Sequence, residues 1–292
     1  MEYILNELSL HSQYADVDDF IAHGAKNLIG VLSVIKQKDQ STLLKKSDIY
    51  NAMVTKTDSL FDVICGMGRK SRTDDNIRKL KSQLASLQNQ PFWDNNQRHD
   101  AGDNYQRIDV TPPEHVTGTG LAEAYARDTH VVSFCQSRYT ADSMVVSLLP
   151  ENAAKEFLNI SNTIQILDLL FEQGEIAVDK YIPLRFSTKL DFSQLDSKHG
   201  LNLIDDKNQQ LFVSGFRNFE SKTWQQIITD DGLDYKEFSK NRNTNDFFTK
   251  EQWKSGIYKF RLDSEKRCFG HRTGEKFYVW RIDLDHKLSD LG

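Results

Sequence analysis

The chain reads as an α+β protein in two parts. Residues 1–180 form a mainly helical N-terminal domain with a few strands, and residues 181–292 an α+β domain whose C-terminal antiparallel sheet carries short helices on one face. Three observations predict this. The last forty residues alternate large apolar and polar side chains, the period of half-buried strands. Several N-terminal stretches instead repeat apolar residues every three or four positions, the spacing of helices buried on one side. A length of 292 residues allows one large or two ordinary domains with sizeable cores.

Taken in order, Met1 to Leu10 opens as a strand with Tyr3, Leu5, Leu8 and Leu10 as inward positions. Val17 to Ile35 has helical spacing at Phe20, Ile21, Leu28, Val31, Leu32 and Ile35, with Asp16 or Asp18 as N-cap. Asp74 to Gln88 is a clearer amphipathic helix through Ile77, Leu80, Leu84 and Leu87, and Pro91 blocks its continuation. Residues 94–119 are polar and contain Pro112-Pro113 and several glycines, which predicts a long loop. Gly120 to Asp128 reads as a short helix and Val131 to Gln136 as a buried strand. Ala153 to Phe171 reads as a longer helix on the stripe Phe157, Ile160, Ile164, Leu167 and Leu170, stopped by Gly174.

A boundary falls near Asp179 to Pro183, where the period changes. Tyr181 to Phe192 then alternates as a strand. Thr223 to Ile228 and Tyr235 to Phe238 suggest two short helices broken at Asp230-Asp231-Gly232, with Phe216, Phe219, Trp224 and Trp253 as aromatic glue between helices and sheet. Three strands close the chain: Ile257 to Leu262, Lys266 to Thr273 and Lys276 to Leu284, joined by Asp263-Ser264-Glu265 and the Gly274-Glu275 corner.

Composition narrows the function classes. Hydrophobic residues make up 38% and charged residues 27%, and the mean hydropathy of -0.58 describes a polar protein without a membrane-length apolar run. The N-terminus, with Glu2 and Glu7 and no basic leader, does not read as a signal peptide. Cys65, Cys135 and Cys268 are scattered and form no C-x-x-C pair, so neither a zinc ribbon nor a disulfide framework is expected, and a reducing cytoplasm is the natural location. Cys135 with nearby His130 is weighed as a nucleophile against the ordinary state of a buried thiol. Asp94, His99, Asp100 and Asp103 are weighed as hard metal ligands, but lack a coordination spacing. No cofactor is expected.

Charge is unevenly placed. The chain as a whole carries a net charge of -5, yet residues 254–281 hold eight Lys or Arg against three acidic residues. A basic sheet bearing aromatic rings suits single-stranded nucleic acid, because cations displace counterions from phosphates and rings stack on bases. The plainer alternative is a solvated face over a core of Phe260, Phe269, Phe277 and Val279. On the first reading Lys259, Arg261, Arg272, Lys276 and Arg281 contact the phosphate backbone.

Tyr258-Lys259-Phe260-Arg261-Leu262, Arg267-Cys268-Phe269-Gly270, Phe277-Tyr278-Val279 and Asp285-His286-Lys287 resemble the C-terminal pattern of small bacterial toxins of the RelE/HigB type and related uncharacterised bacterial proteins. Leu5-Asn6-Glu7-Leu8-Ser9-Leu10 and Pro91-Phe92-Trp93-Asp94 likewise resemble an uncharacterised bacterial group. The toxin resemblance covers at most a third of the chain, and it implies metal-independent mRNA cleavage by basic side chains and a tyrosine. Such cleavage needs a base at the 2′-hydroxyl, a cation on the phosphate and an acid for the leaving group. Arg261, Arg267, His271 and Tyr278 are the catalytic candidates; His271 titrates near neutrality unaided, and His286 has carboxylate neighbours in sequence. The chain departs from that pattern in being long and acidic.

Three functions follow as expectations. The first is a component of a bacterial stress or phage-defence system, binding a protein partner through its N-terminal recognition or regulatory domain and RNA through the basic sheet. The second is a RelE-like metal-independent endoribonuclease, and the third a metal-dependent hydrolase using the 94–119 loop.

Overall fold

The structure, a computed structural model, describes residues 1–38, 41–70, 75–151, 153–285 and 288. The chain is α+β and divides into two compact units, Met1–Ile166 and Leu167–Gly292, ahead of the boundary expected near residue 180.

The first unit is built on a seven-stranded mixed sheet. Its strands are β1 (Glu2–Leu5), β2 (Thr42–Leu44), β3 (Asn104–Arg107), β4 (Glu114–His115), β5 (His130–Val132), β6 (Ser143–Leu149) and β7 (Ala153–Ile160), in the spatial order β2-β1-β5-β7-β6-β3-β4. The four strands from β2 to β7 in that order run parallel and the remaining three alternate. Parallel neighbours need crossover helices. One crossover is α1 (Val17–Asp19), a π-helical turn at Phe20–Ala25 and α2 (Lys26–Lys36); Asp16 caps its start by accepting the Asp19 N–H. Helix α5 (Gly120–Arg127) precedes β5, and α3 (Leu60–Lys70) and α4 (Asp75–Ala85) form a further layer. The core gathers Ile4, Trp93, Val116, Leu121, Tyr125, Val131, Tyr139, Met144 and Val146.

Sequence periodicity misplaced several segments of the chain. Residues 153–160 are the strand β7, not the start of a helix, and only Thr163–Glu172 is helical (α6). The apparent stripe joined Phe157 and Ile160 of the strand to Ile164 and Leu167 of the helix, so two elements imitated one period. Residues 94–119 are not a long loop, since they contain β3 and β4 and the buried His99 and Val116. Instead of the strand expected from Tyr181 onward, Val178–Arg185 is a helix (α7), because Val178, Tyr181 and Ile182 are buried at helical spacing and only Leu190–Asp191 pairs, as β8.

In the second unit β8 lies parallel to β12 (Lys276–Asp283), which pairs antiparallel with β11 (Arg267–Thr273), then β10 (Tyr258–Arg261) and β9 (Lys236–Glu237). Residues 236–237 are thus an edge strand rather than part of a helix. The final three strands fall where the alternation predicts. A bulge between Phe269 and Gly270 shifts the register with β12. A Cβ at Gly270 would lie 1.9 Å from the Tyr278 carbonyl oxygen, so the close approach of these strands requires glycine.

Helices α8 (Gln209–Ser221) and α9 (Trp224–Thr229) cover one sheet face, where Phe219 meets Phe260 and Phe277 at ring separations of 4.3 and 5.9 Å. The opposite face is covered too: Phe238, Phe248, Phe269 and Trp280 form a second aromatic cluster, with Trp253 of α10 (Lys250–Ser255) packed against it. Among the described residues no helix is long and apolar enough to cross a membrane.

Candidate nucleic-acid interface

Alternation along β10–β12 sends neighbouring residues to opposite faces, and this divides the residues that the sequence grouped together. On the α9 side, Arg272 lies with its guanidinium 3.9 Å from the Trp224 ring centroid. Trp224 is 7% exposed and meets Phe219 and Tyr235 edge-on. Tyr235, just before β9, stacks on Tyr258 of β10 with centroids 5.3 Å apart and planes 5° from parallel. Ile228, Tyr235, Lys236, Tyr258, Arg272 and Gly274 line an open cleft of about 500 Å³.

Each position has a local cause. Thr223 caps α9 in a reciprocal capping box with Gln226, which fixes the helix start and turns Trp224 onto the sheet. The Arg272 Nε–H donates to the Gly274 carbonyl at 2.8 Å, and Glu275 lies 3.6 Å from its terminal nitrogen, so the guanidinium is held by the hairpin turn. Lys236 pairs with Asp234 at 2.9 Å and remains exposed. Burial, followed by the proximity of Tyr258, pushes the Tyr235 phenol far above its ordinary range, so that ring stays neutral at physiological pH.

The remaining candidates lie elsewhere. His271, on the opposite face, stacks on Tyr278 and Trp280 at 5.1 and 4.5 Å. Burial lowers its pKa, and its buried Nδ1 has no hydrogen-bond partner among the described residues. Lys259 is buried with its ammonium 5.1 Å from the Phe238 ring centroid, and burial lowers its pKa. Arg267 is 6% exposed; its guanidinium donates to the carbonyls of Asp263, Lys266 and Ser264 at 2.6, 3.0 and 3.2 Å, so it ties down the β10–β11 turn. Arg261 pairs with Asp234 at 3.4 Å, Arg281 lies over Phe247, and the Lys276 ammonium donates to the Ser187 carbonyl. Of the sequence candidates the cleft therefore gathers Arg272, while Tyr235 and Lys236 join it as residues that sequence reading left out, and Trp224, expected in the core, is buried against the Arg272 guanidinium. His286 lies outside the described residues.

The features weighed in the first unit are engaged separately. Cys135 donates its thiol to the His23 carbonyl at 3.0 Å, whereas His130 Nδ1 accepts the Leu158 N–H at 3.3 Å, so the two are not a nucleophile–base pair. Asp94 holds Ser47, Asp100 holds the Gly102 N–H, and Asp103 accepts from Tyr105. His99 is paired with Glu123 at 2.6 Å, both side chains fully buried. Burial alone would raise the Glu123 carboxyl, but donors from His99, the Arg98 and His99 backbone and Arg127 outweigh it and hold the pKa below the usual value. This network fastens residues 98–99 to α5. Among the described residues no group of three or more His, Cys, Asp or Glu could hold a metal ion.

No protein-family model, no curated protein and no solved structure matches the chain.

Proposed function

We propose that the second unit binds single-stranded RNA through the Tyr235–Tyr258 cleft, without cleaving it. The observation that carries this reading is the parallel Tyr235–Tyr258 pair set in one open cleft with Arg272 and Lys236. Aromatic faces accept any base, and a cation beside them suits the adjoining phosphate; base–aromatic stacking is worth about 1–3 kcal/mol per base. Support for a binding rather than a cleaving role comes from geometry. His271 and Tyr278 project from the face opposite Arg272, and Arg267 is occupied by three backbone carbonyls, so base, acid and cation do not converge on one phosphate. The wider role, as a component of a bacterial stress or phage-defence assembly with a protein partner, is proposed on the same footing and depends on RNA binding being found.

Fluorescence anisotropy with a labelled, unstructured RNA oligonucleotide tests the reading. Tyr258→Ala should weaken binding about tenfold, from the stacking term above, while a duplex of the same sequence binds worse than the single strand. Cleavage of the bound oligonucleotide by the intact protein would replace this reading with the endoribonuclease one.

A further inference from the structure

Lys45 follows β2 in the first unit and is a buried cation with few partners. It is 4% exposed. Its ammonium donates to the Pro91 carbonyl at 3.3 Å and lies 5.2 Å from the Phe92 ring centroid. The backbone fixes this placement: Lys45 and Phe92 form a parallel bridge, and the Trp93 N–H donates to the Lys45 carbonyl at 3.0 Å. An ammonium has three donors, and one carbonyl and one ring do not use them all. A buried charge ordinarily has a counter-ion, but among the described residues no carboxylate pairs with Lys45. Burial, and secondarily the like charge of Lys36, lowers its pKa to about 8, so most of the side chain is still charged at neutral pH.

Lys45 and Lys36 both line a cleft of about 340 Å³, whose apolar wall is Leu32, Ile35, Leu43 and Leu87. Two cations and four aliphatic side chains lining one cleft match an anion with an apolar body. We propose that this cleft binds a small amphipathic carboxylate, its carboxylate on the Lys45 ammonium and its short hydrocarbon body against Leu32, Ile35, Leu43 and Leu87. The ligand supplies the missing counter-ion, and a carboxylate–ammonium hydrogen bond in a desolvated setting is stronger than a neutral one.

Titration calorimetry of the full chain with sodium hexanoate tests this, with hexan-1-ol as the uncharged control. Hexanoate should bind at least about tenfold more tightly than the alcohol, and Lys45→Met should lose about tenfold or more of hexanoate affinity while leaving alcohol binding nearly unchanged, as expected for one charge-assisted hydrogen bond. Circular dichroism establishes that Lys45→Met folds, and Lys36→Glu, at an exposed position, gives a second variant that should also weaken hexanoate. The proposal is overturned if the parent protein shows no hexanoate binding up to about 10 mM, or if Lys45→Met binds hexanoate as well as the parent does.

Discussion

Replacing Trp224 by alanine removes the element that joins α9 to the sheet and seats Arg272. The indole is 7% exposed, lies edge-on to Phe219 and Tyr235 at 5.7 and 5.9 Å, and carries the Arg272 guanidinium at 3.9 Å. A tryptophan buries roughly 150–250 Å²; at about 25 cal/mol per Å², and allowing for what alanine still buries, the lost transfer energy is about 3–4 kcal/mol. The cavity adds to this, and large aromatic truncations fall at about 3–5 kcal/mol. One opposing contribution is small: the indole N–H is buried without a partner among the described residues, so its removal recovers part of the loss. The expected destabilisation of the second unit is therefore about 3–5 kcal/mol, read from urea unfolding followed by circular dichroism. Trp224→Phe, which keeps the edge-on packing, should recover more than half. A loss below about 0.5 kcal/mol, the range of surface substitutions, would refute the packing argument.

Two further outcomes follow from buried polar groups. Glu7 accepts the Gly120 N–H at the start of α5, and burial raises its pKa from 4.5 to about 7 against the opposing pull of backbone donors and Lys46. The native state then binds more protons than the unfolded chain between those values, so the group's contribution is present below 4.5 and lost as pH rises through 7. Glu7→Gln, which cannot ionise, should be more stable than the parent by about 1–3 kcal/mol at about pH 8, with the difference fading to near zero below pH 4.5 in urea titrations; a difference independent of pH would contradict the assignment. Arg267→Ala should destabilise the second unit by about 2–4 kcal/mol, because three turn carbonyls lose a charged donor, while RNA affinity at temperatures where the variant is folded changes little; the reverse pattern in paired unfolding and anisotropy measurements would make Arg267 a binding residue.

How much was legible in the sequence depends on whether one period governed each stretch. Strands β10–β12 and helix α4 were legible because Tyr258, Phe260 and Phe277, or Leu80 and Leu84, face one way throughout a single element. Strand β7 was not, because Phe157 and Ile160 continue into the helical spacing of α6. Strand β4 hid in polar sequence since it forms the edge of the sheet, where few side chains need be apolar, and β3 beside it has only four residues, Tyr105 the one apolar side chain among them. Local charge pointed to the second unit and to Arg272, but not to Tyr235, whose partner Tyr258 is brought to it only by β9–β10 pairing. Lys45 gave no signal at all, because its burial depends on the distant Pro91-Phe92 segment.

The salt dependence of RNA binding separates phosphate contact in the Tyr235–Tyr258 cleft from a merely solvated basic face. If Arg272 and Lys236 each contact a phosphate, the logarithm of the association constant should fall with the logarithm of salt at a slope of about -1.4, or roughly sevenfold between 50 and 200 mM, since each contact to a single strand contributes about -0.7. Arg272→Glu should flatten that slope by about 0.7 and weaken binding at every salt concentration, whereas the same charge reversal at exposed Lys207 should do neither. Absence of binding by the parent protein at about 50 mM salt, or an unchanged slope in Arg272→Glu, would mean that the cleft does not hold a phosphate backbone.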